Sequence, residues 1–248
     1  MTINLLIAPD FAPERFAGWH MLNTLLQKSS GIAIHLDTPA SAQEQNDKIQ
    51  SQNIEAIYAN PFDAATMIRE QGYRTVARPI GKSDEMVIAA QAEGAINQLE
   101  ALKPGCTIAM ADNRDVKLIG LRLLEAVDLV EADIEWKITE TYQAAARHLI
   151  KGEADAAFFL SEVYHSLSRL TRSQMQVLIE SDLSDISHVV LVKESFAQSE
   201  LFIQALLNLK DSAEGKQVLA ELGMEAGFEA MTQEDGEFMI DLMDTLLD

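Results

Sequence analysis

The chain has one cysteine, Cys106, among 248 residues, so it cannot form an internal disulfide. Cys106 opens the run Cys-Thr-Ile-Ala-Met-Ala and reads as a packed hydrophobe on a buried strand rather than a nucleophile. Positive charge is scarce: 19 Lys and Arg face 39 Asp and Glu, for a formal net charge of −20, and the basic residues are scattered. Such a field repels nucleic-acid phosphates and anionic lipid surfaces, which argues against a nucleic-acid partner. No apolar run approaches the roughly 20 residues of a membrane span, so no membrane insertion is expected. The N-terminal stretch Met1-Thr2-Ile3-Asn4 lacks a basic leader region, which predicts a cytoplasmic protein. The alternative is a periplasmic protein whose signal has been removed. Low-complexity tracts, long Pro/Gly/Ser linkers and short internal repeats are also missing.

Catalytic signatures are equally sparse. The five histidines (His20, His35, His148, His165 and His188) show no HExxH spacing, and CxxC is absent, so no metal or cofactor is expected. There is no GxGxxG, GxxxxGK[ST] or GxSxG, and no nucleophile–base pair. The acidic pairs Asp84-Glu85 and Asp112 with Asp115 read as solvated faces. These absences argue against an enzyme.

What is present is an alternation of short apolar runs with helical patterns. Ile3–Ala8, Ile32–Leu36 and Ile54–Tyr58 read as strands of a parallel sheet, with Thr75–Ile80 and Met86–Ala90 following. Between them lie helices over Glu14–Lys28, Ser41–Ser51 and Phe62–Gln71. Ser41-Ala42-Gln43-Glu44 forms a capping box, and Ser29-Ser30-Gly31 and Gly72 act as stops. A short helix over Ile96–Leu102 precedes Pro104-Gly105. A second unit then repeats the arrangement. Its strands are Thr107–Ala111, Ile134–Ile138, Ala154–Leu160 and Met175–Glu180, and the strand His188–Val192 follows. Its helices are Val116–Ala126, Thr141–Lys151 and Glu162–Leu170. Everything after Glu194 reads as helical.

This pattern predicts an α/β fold of two lobes, with mixed, mostly parallel sheets. Residues 1–90 plus 186–248 form lobe 1, and an inserted lobe 2 spans 91–185.

Four stretches resemble the phosphonate/phosphate-binding components of bacterial ABC transporters. They are Ile54-Glu55-Ala56-Ile57-Tyr58-Ala59-Asn60-Pro61, the segment from Leu99 to Ala109 around Lys103-Pro104-Gly105, Lys151-Gly152-Glu153-Ala154-Asp155-Ala156-Ala157, and Ala213-Glu214-Gly215-Lys216 through Leu222-Gly223. They occur in family order across nearly the whole chain. The resemblance implies a type II periplasmic-binding-protein fold with a hinge of two crossing strands. It implies a small-molecule ligand trapped by lobe closure, and an ABC transporter permease or a signalling protein as partner. A cytoplasmic enzyme or ligand sensor on the same scaffold is the alternative. One departure is evident. The loop after the first strand of the second lobe, rich in hydroxyls in the family, is here Asp112-Asn113-Arg114-Asp115, which disfavours a doubly charged oxyanion.

Ligands of open α/β sheets lie beyond the carboxyl ends of the strands, at helix N-termini. This names Asp10, Thr38, Tyr58 and Asn60 in the first lobe, Arg114 and Ser161 in the second, and His188 at the hinge, with Ser83-Asp84-Glu85 and Ser187 beside them. Each carries a second, purely structural reading. Tyr58 can be sheet packing, while Asn60, Ser161 and one of Thr38 or Ser41 can be helix caps. Arg114 can be an ion-pair partner of Asp112 or Asp115, and His188 a buried histidine with a local partner.

Overall fold

The structure is a computed structural model that describes residues 2–11, 13–182 and 186–247. Its strands, in chain order, are β1 (Thr2–Ile7), β2 (Ala33–Asp37), β3 (Ala56–Ala59), β4 (Tyr73–Pro79), β5 (Met86–Gln91), β6 (Cys106–Ala111), β7 (Ile134–Thr139), β8 (Ala156–Leu160), β9 (Met175–Glu180), β10 (Val189–Lys193) and β11 (Phe228–Ala230). The helices are α1 (Phe16–Ser30), α2 (Ala42–Ser51), α3 (Pro61–Glu70), α4 (Arg114–Leu124), α5 (Tyr142–Ile150), α6 (Ser161–Ser166), α7 (Arg169–Arg172), α8 (Ser199–Leu207), α9 (Ala213–Glu221) and α10 (Gln233–Leu247).

The chain divides into two compact units. One is Met1–Ser83 with Asp185–Thr245; the other is built chiefly from Asp84–Ser184. The first holds a six-stranded sheet of order β11-β4-β10-β3-β1-β2, the second a five-stranded sheet of order β7-β6-β8-β5-β9. Both are mixed. The ladders β1–β2, β1–β3, β6–β7 and β6–β8 are parallel, and those of β10 with β3 and β4, β11 with β4, and β5 with β8 and β9 are antiparallel. Each unit thus repeats one design: a first strand flanked by the second and third, then a strand of opposite sense contributed where the chain enters or returns.

The apolar runs explain these placements. β3 is buried at all four positions, as a strand covered on both faces must be. In β1, side chains alternate between two cores. Ile3, Leu5 and Ile7 pack with Trp19, Leu22 and Leu26 of α1, Phe202 of α8 and Leu219 of α9. Leu6 joins Ala64 and Met67 of α3 and Met239 of α10 on the other face. In the second unit, Val87, Ala109, Ala157 and Phe159 pack against Ala145, Ala146 and Leu149 of α5.

Local punctuation mostly behaves as its chemistry dictates. Ser41 Oγ accepts the Glu44 N–H at 3.2 Å, and Glu44 reaches back to the Ala40 N–H at 2.8 Å, one residue beyond a standard capping box. Asn60 Oδ1 accepts the Asp63 N–H at 2.8 Å, with Pro61 in the first turn of α3. Gly31 ends α1 at φ 72°, in the left-handed region open to glycine.

Four expectations are corrected. β5 pairs with β8 and β9, so it belongs to the second unit, and the first crossing falls at 83/84 rather than 90/91. Its run Met-Val-Ile-Ala-Ala would suit either sheet, and only pairing decides. Ile96–Leu102 forms no α-helix, only the 3-10 turn Leu99–Ala101. Glu162–Leu170 breaks at Leu167, because Ser168 caps a new turn by accepting the Thr171 N–H at 3.1 Å. The C-terminal segment is not wholly helical: after Gly227 (φ 81°), β11 adds an edge to the first sheet and buries Phe228 in its core.

Candidate functional site

In the first unit, the carboxyl ends of β1, β2 and β3 and the start of antiparallel β10 share one edge of the sheet. Asp10, two residues past the Ala8 that extends β1, meets His188 immediately before β10. His188 Nε2 lies 3.0 Å from Asp10 Oδ1, with the two side chains 8% and 10% exposed. Asn60 Nδ2, from the cap of α3, donates to Asp10 Oδ2 at 3.4 Å and to Asp63 Oδ2 at 3.1 Å. Gln45 of α2 donates to the same Asp63 oxygen at 2.7 Å. Burial alone would raise the Asp10 pKa. The charge and hydrogen bond of His188, a backbone N–H and Asn60 outweigh it and hold the carboxyl below its ordinary value.

Aromatic rings line up behind this pair. The His188 ring stacks on Tyr58 at 5.0 Å and 24°, Tyr58 meets Trp19 at 4.8 Å, and Trp19 meets Phe11 at 6.0 Å. At the end of β2, buried Asp37 accepts from Lys48 Nζ at 2.7 Å, and Thr38 follows half-buried.

In the second unit, β6 and β8 end, β9 ends and β5 begins at the corresponding edge. Ser161, the first residue of α6, has both of its donors occupied. Its N–H bonds the Glu85 carbonyl at 2.7 Å, and its hydroxyl donates to Glu180 Oε1. His165 Nε2 lies 3.0 Å from the same Glu180 oxygen. Burial pushes the Glu180 pKa up, but the Ser161 hydroxyl and His165 bring it net below the ordinary glutamate value. Ser181 donates its hydroxyl to Glu85 and accepts the Met86 N–H at 2.9 Å. At the end of β6, Asn113 caps α4 by accepting the Val116 N–H at 3.0 Å. Asp112 and Arg114 are exposed, while Asp115 is buried.

The geometry therefore brings together four of the residues named from the sequence. Asp10, Tyr58, Asn60 and His188 form one cluster in the first unit, while Thr38 lies beside the Asp37–Lys48 pair. Ser161 and Arg114 lie on the second unit, and Ser161 is not the N-cap of α6, a position held by Leu160. Of the two acids beside Arg114, Asp112 is presented to solvent and Asp115 is buried. Gln45, His165 and Glu180 escaped sequence reasoning because their partners lie 15 or more residues away, and Asp63 because its side chain reads only as part of a helix's first turn. Glu180 alone had a usable signal, as the last residue of a predicted strand. Among the described residues, no group of His, Cys, Asp and Glu is arranged to hold a metal ion, and no helix is long and apolar enough to cross a membrane.

Two mixed α/β units joined by two crossings, each with this strand order, define a type II periplasmic-binding-protein fold. Known structures agree. A binding protein component of an ABC phosphonate transporter from Pseudomonas aeruginosa is 15% identical, with a TM-score of 0.80 over 98% of this chain and 86% of that one. PhnD1 from Prochlorococcus marinus, in complex with methylphosphonate, is 12% identical, with a TM-score of 0.83 over 99% and 98%. The alkanesulfonate-binding protein SsuA from Xanthomonas axonopodis pv. citri, bound to MOPS, is 15% identical, with a TM-score of 0.63 over 97% and 83%. No curated protein matches the sequence. Residues 5–235 match the family of ABC transporter, phosphonate, periplasmic substrate-binding proteins, and the chain belongs to that family. The family is one of transport proteins rather than enzymes, and it is periplasmic, so the expectation of a cytoplasmic protein is not supported.

Proposed function

We propose that this chain is the periplasmic solute-binding subunit of an ABC transporter, working with a membrane permease. Its solute is a small zwitterion that carries one phosphonate- or sulfonate-type oxyanion and one ammonium group. The family supports the oxyanion, and the acceptor groups of the second unit support the ammonium.

The observation that carries this reading is Ser161. Its amide and hydroxyl hydrogens are both committed inside the protein, so toward a solute it has only acceptor capacity left. Asp112 stands exposed on the β6–α4 turn, where the resemblance calls for a hydroxyl donor. Arg114, exposed in the first turn of α4, is the cation suited to an oxyanion, assisted by the helix N-terminus. The carboxylates of Asp112 and Glu180 supply the counter-charge for an ammonium.

Asp112→Ser tests this assignment. One carboxylate within about 6 Å of a phosphate charge costs about 1 kcal/mol or more at an effective dielectric near 20–40. The variant should therefore bind inorganic phosphate at least about fivefold more tightly than the unmodified protein. Unchanged phosphate affinity in a folded variant would place Asp112 away from the solute.

A further inference from the structure

The Asp10–His188 pair is more deeply buried than any surface ion pair of the first unit, and it joins segments far apart in the sequence. Asp10 follows β1, and His188 precedes β10. Asn60 ties Asp10 to the start of α3, and Gln45 ties α2 to the same network through Asp63. Loops at three strand ends of the first unit, those of β1, β3 and β10, are therefore held by one chain of polar contacts. The His188 ring also sets the plane against which Tyr58 lies.

We propose that Asp10 and His188 are a positioning pair: their buried 3.0 Å ion-pair contact fixes the solute-facing edge of the first unit, with Tyr58 and Asn60 as the side chains it orients. Partly desolvated, the bond is stronger than an exposed ion pair, and leaving either partner alone strands a buried charge. Among the described contacts, Asp10 from the β1 loop and Tyr58 from β3 face His188. Asp63 of α3 is coupled to Asp10 through Asn60. The inference rests on the proposed function for there being a solute, and on the rule that ligands gather at strand ends for this edge facing it; the pair itself is tested without any solute.

The test uses the full chain with Asp10→Asn, His188→Gln and the double variant, each melted from pH 3 to pH 7. At pH 6 each single variant should lose about 5 °C or more of thermal midpoint, and the double variant no more than the larger single loss. Because the Asp10 pKa is lowered in the folded state, its contribution is complete above the unfolded value and disappears as pH falls through the folded one. The gap between the unmodified protein and Asp10→Asn should thus be full at pH 6 and close below the ordinary aspartate value of 3.8. A side chain that merely fills space would leave a gap independent of pH. Additive single losses, or a gap flat across the range, would overturn the proposal.

Should a variant not fold, the unmodified protein still decides. The Asp10 side-chain carboxyl carbon resonance should titrate with a midpoint below 3.8. A midpoint above that value would overturn the proposal too. Binding of 2-aminoethylphosphonate separates this inference from the proposed function. If the pair is coupled but the probe does not bind, the choice of solute fails and the positioning pair stands.

Discussion

Phe158→Ala should destabilise the second unit by about 3–5 kcal/mol. Phe158 sits in β8, is fully buried, and meets the Trp136 ring edge-on at 5.7 Å. Its other neighbour is Gly120 of α4. A Cβ on that glycine would lie 2.2 Å from Phe158 Cε2, so helix and ring touch only because position 120 has no side chain. Removing the ring leaves a cavity between α4 and the sheet, and the surrounding backbone cannot collapse to fill it. Gly120→Ala should also destabilise, by about 1–3 kcal/mol, because the ring has to move. In the Phe158→Ala background the same substitution should cost far less, since the added methyl enters the vacated space. Urea unfolding followed by Trp136 fluorescence in a Trp19→Phe background reads both effects in the unit where they arise; equal Gly120→Ala costs in the two backgrounds would refute the packing argument.

Gly215→Ala should destabilise the first unit by about 3 kcal/mol or more. The added Cβ would lie 1.8 Å from the Leu209 carbonyl oxygen and 2.6 Å from its carbon. Those are backbone atoms of a buried residue, not the far end of a flexible side chain. The same glycine gives its N–H to Ser212 Oγ at 2.9 Å, the cap that starts α9. A shift that relieves the clash therefore breaks the cap as well, which itself contributes about 1 kcal/mol. Loss of Trp19 fluorescence in a Trp136→Phe background follows the first unit alone, and an unfolding midpoint unchanged by Gly215→Ala would contradict this geometry.

Much of the architecture was legible because burial leaves a direct trace in sequence. Ile54–Tyr58 and Ile3–Ala8 are continuous apolar runs, as centrally placed strands require, and Ser41, Asn60 and Gly31 mark helix ends by mechanisms that act within four residues. Pairing was not legible. β5 is as apolar as its neighbours, and nothing within Met86–Gln91 specifies which sheet it joins. β11 is three residues long and is defined by its ladder with β4.

The same division runs through the candidate site. The rule that ligands gather at strand ends located Asp10, Tyr58, Asn60 and His188, which the fold brings together. The rule could not show that Asp10 and His188 pair, because their loops meet only once β10 has inserted beside β3. Nor could it show that Ser161 surrenders its hydroxyl hydrogen to Glu180, since that contact depends on β9 running beside β5. Asp115 is the reverse case: adjacent in sequence to exposed Arg114, it turns inward, because position 115 faces the body of α4 and its sheet.

The central claim, a zwitterionic solute for a phosphonate-family binding protein, is tested most directly by isothermal titration of the unmodified protein with 2-aminoethylphosphonate and with inorganic phosphate. Both present a phosphorus oxyanion; in the aminophosphonate one phosphate oxygen is replaced by a carbon-linked aminoethyl chain that brings the ammonium group. The account predicts that the aminophosphonate binds at least tenfold more tightly, a difference of about 1.4 kcal/mol. Low-micromolar binding of inorganic phosphate, equal to or tighter than that of the aminophosphonate, would contradict it.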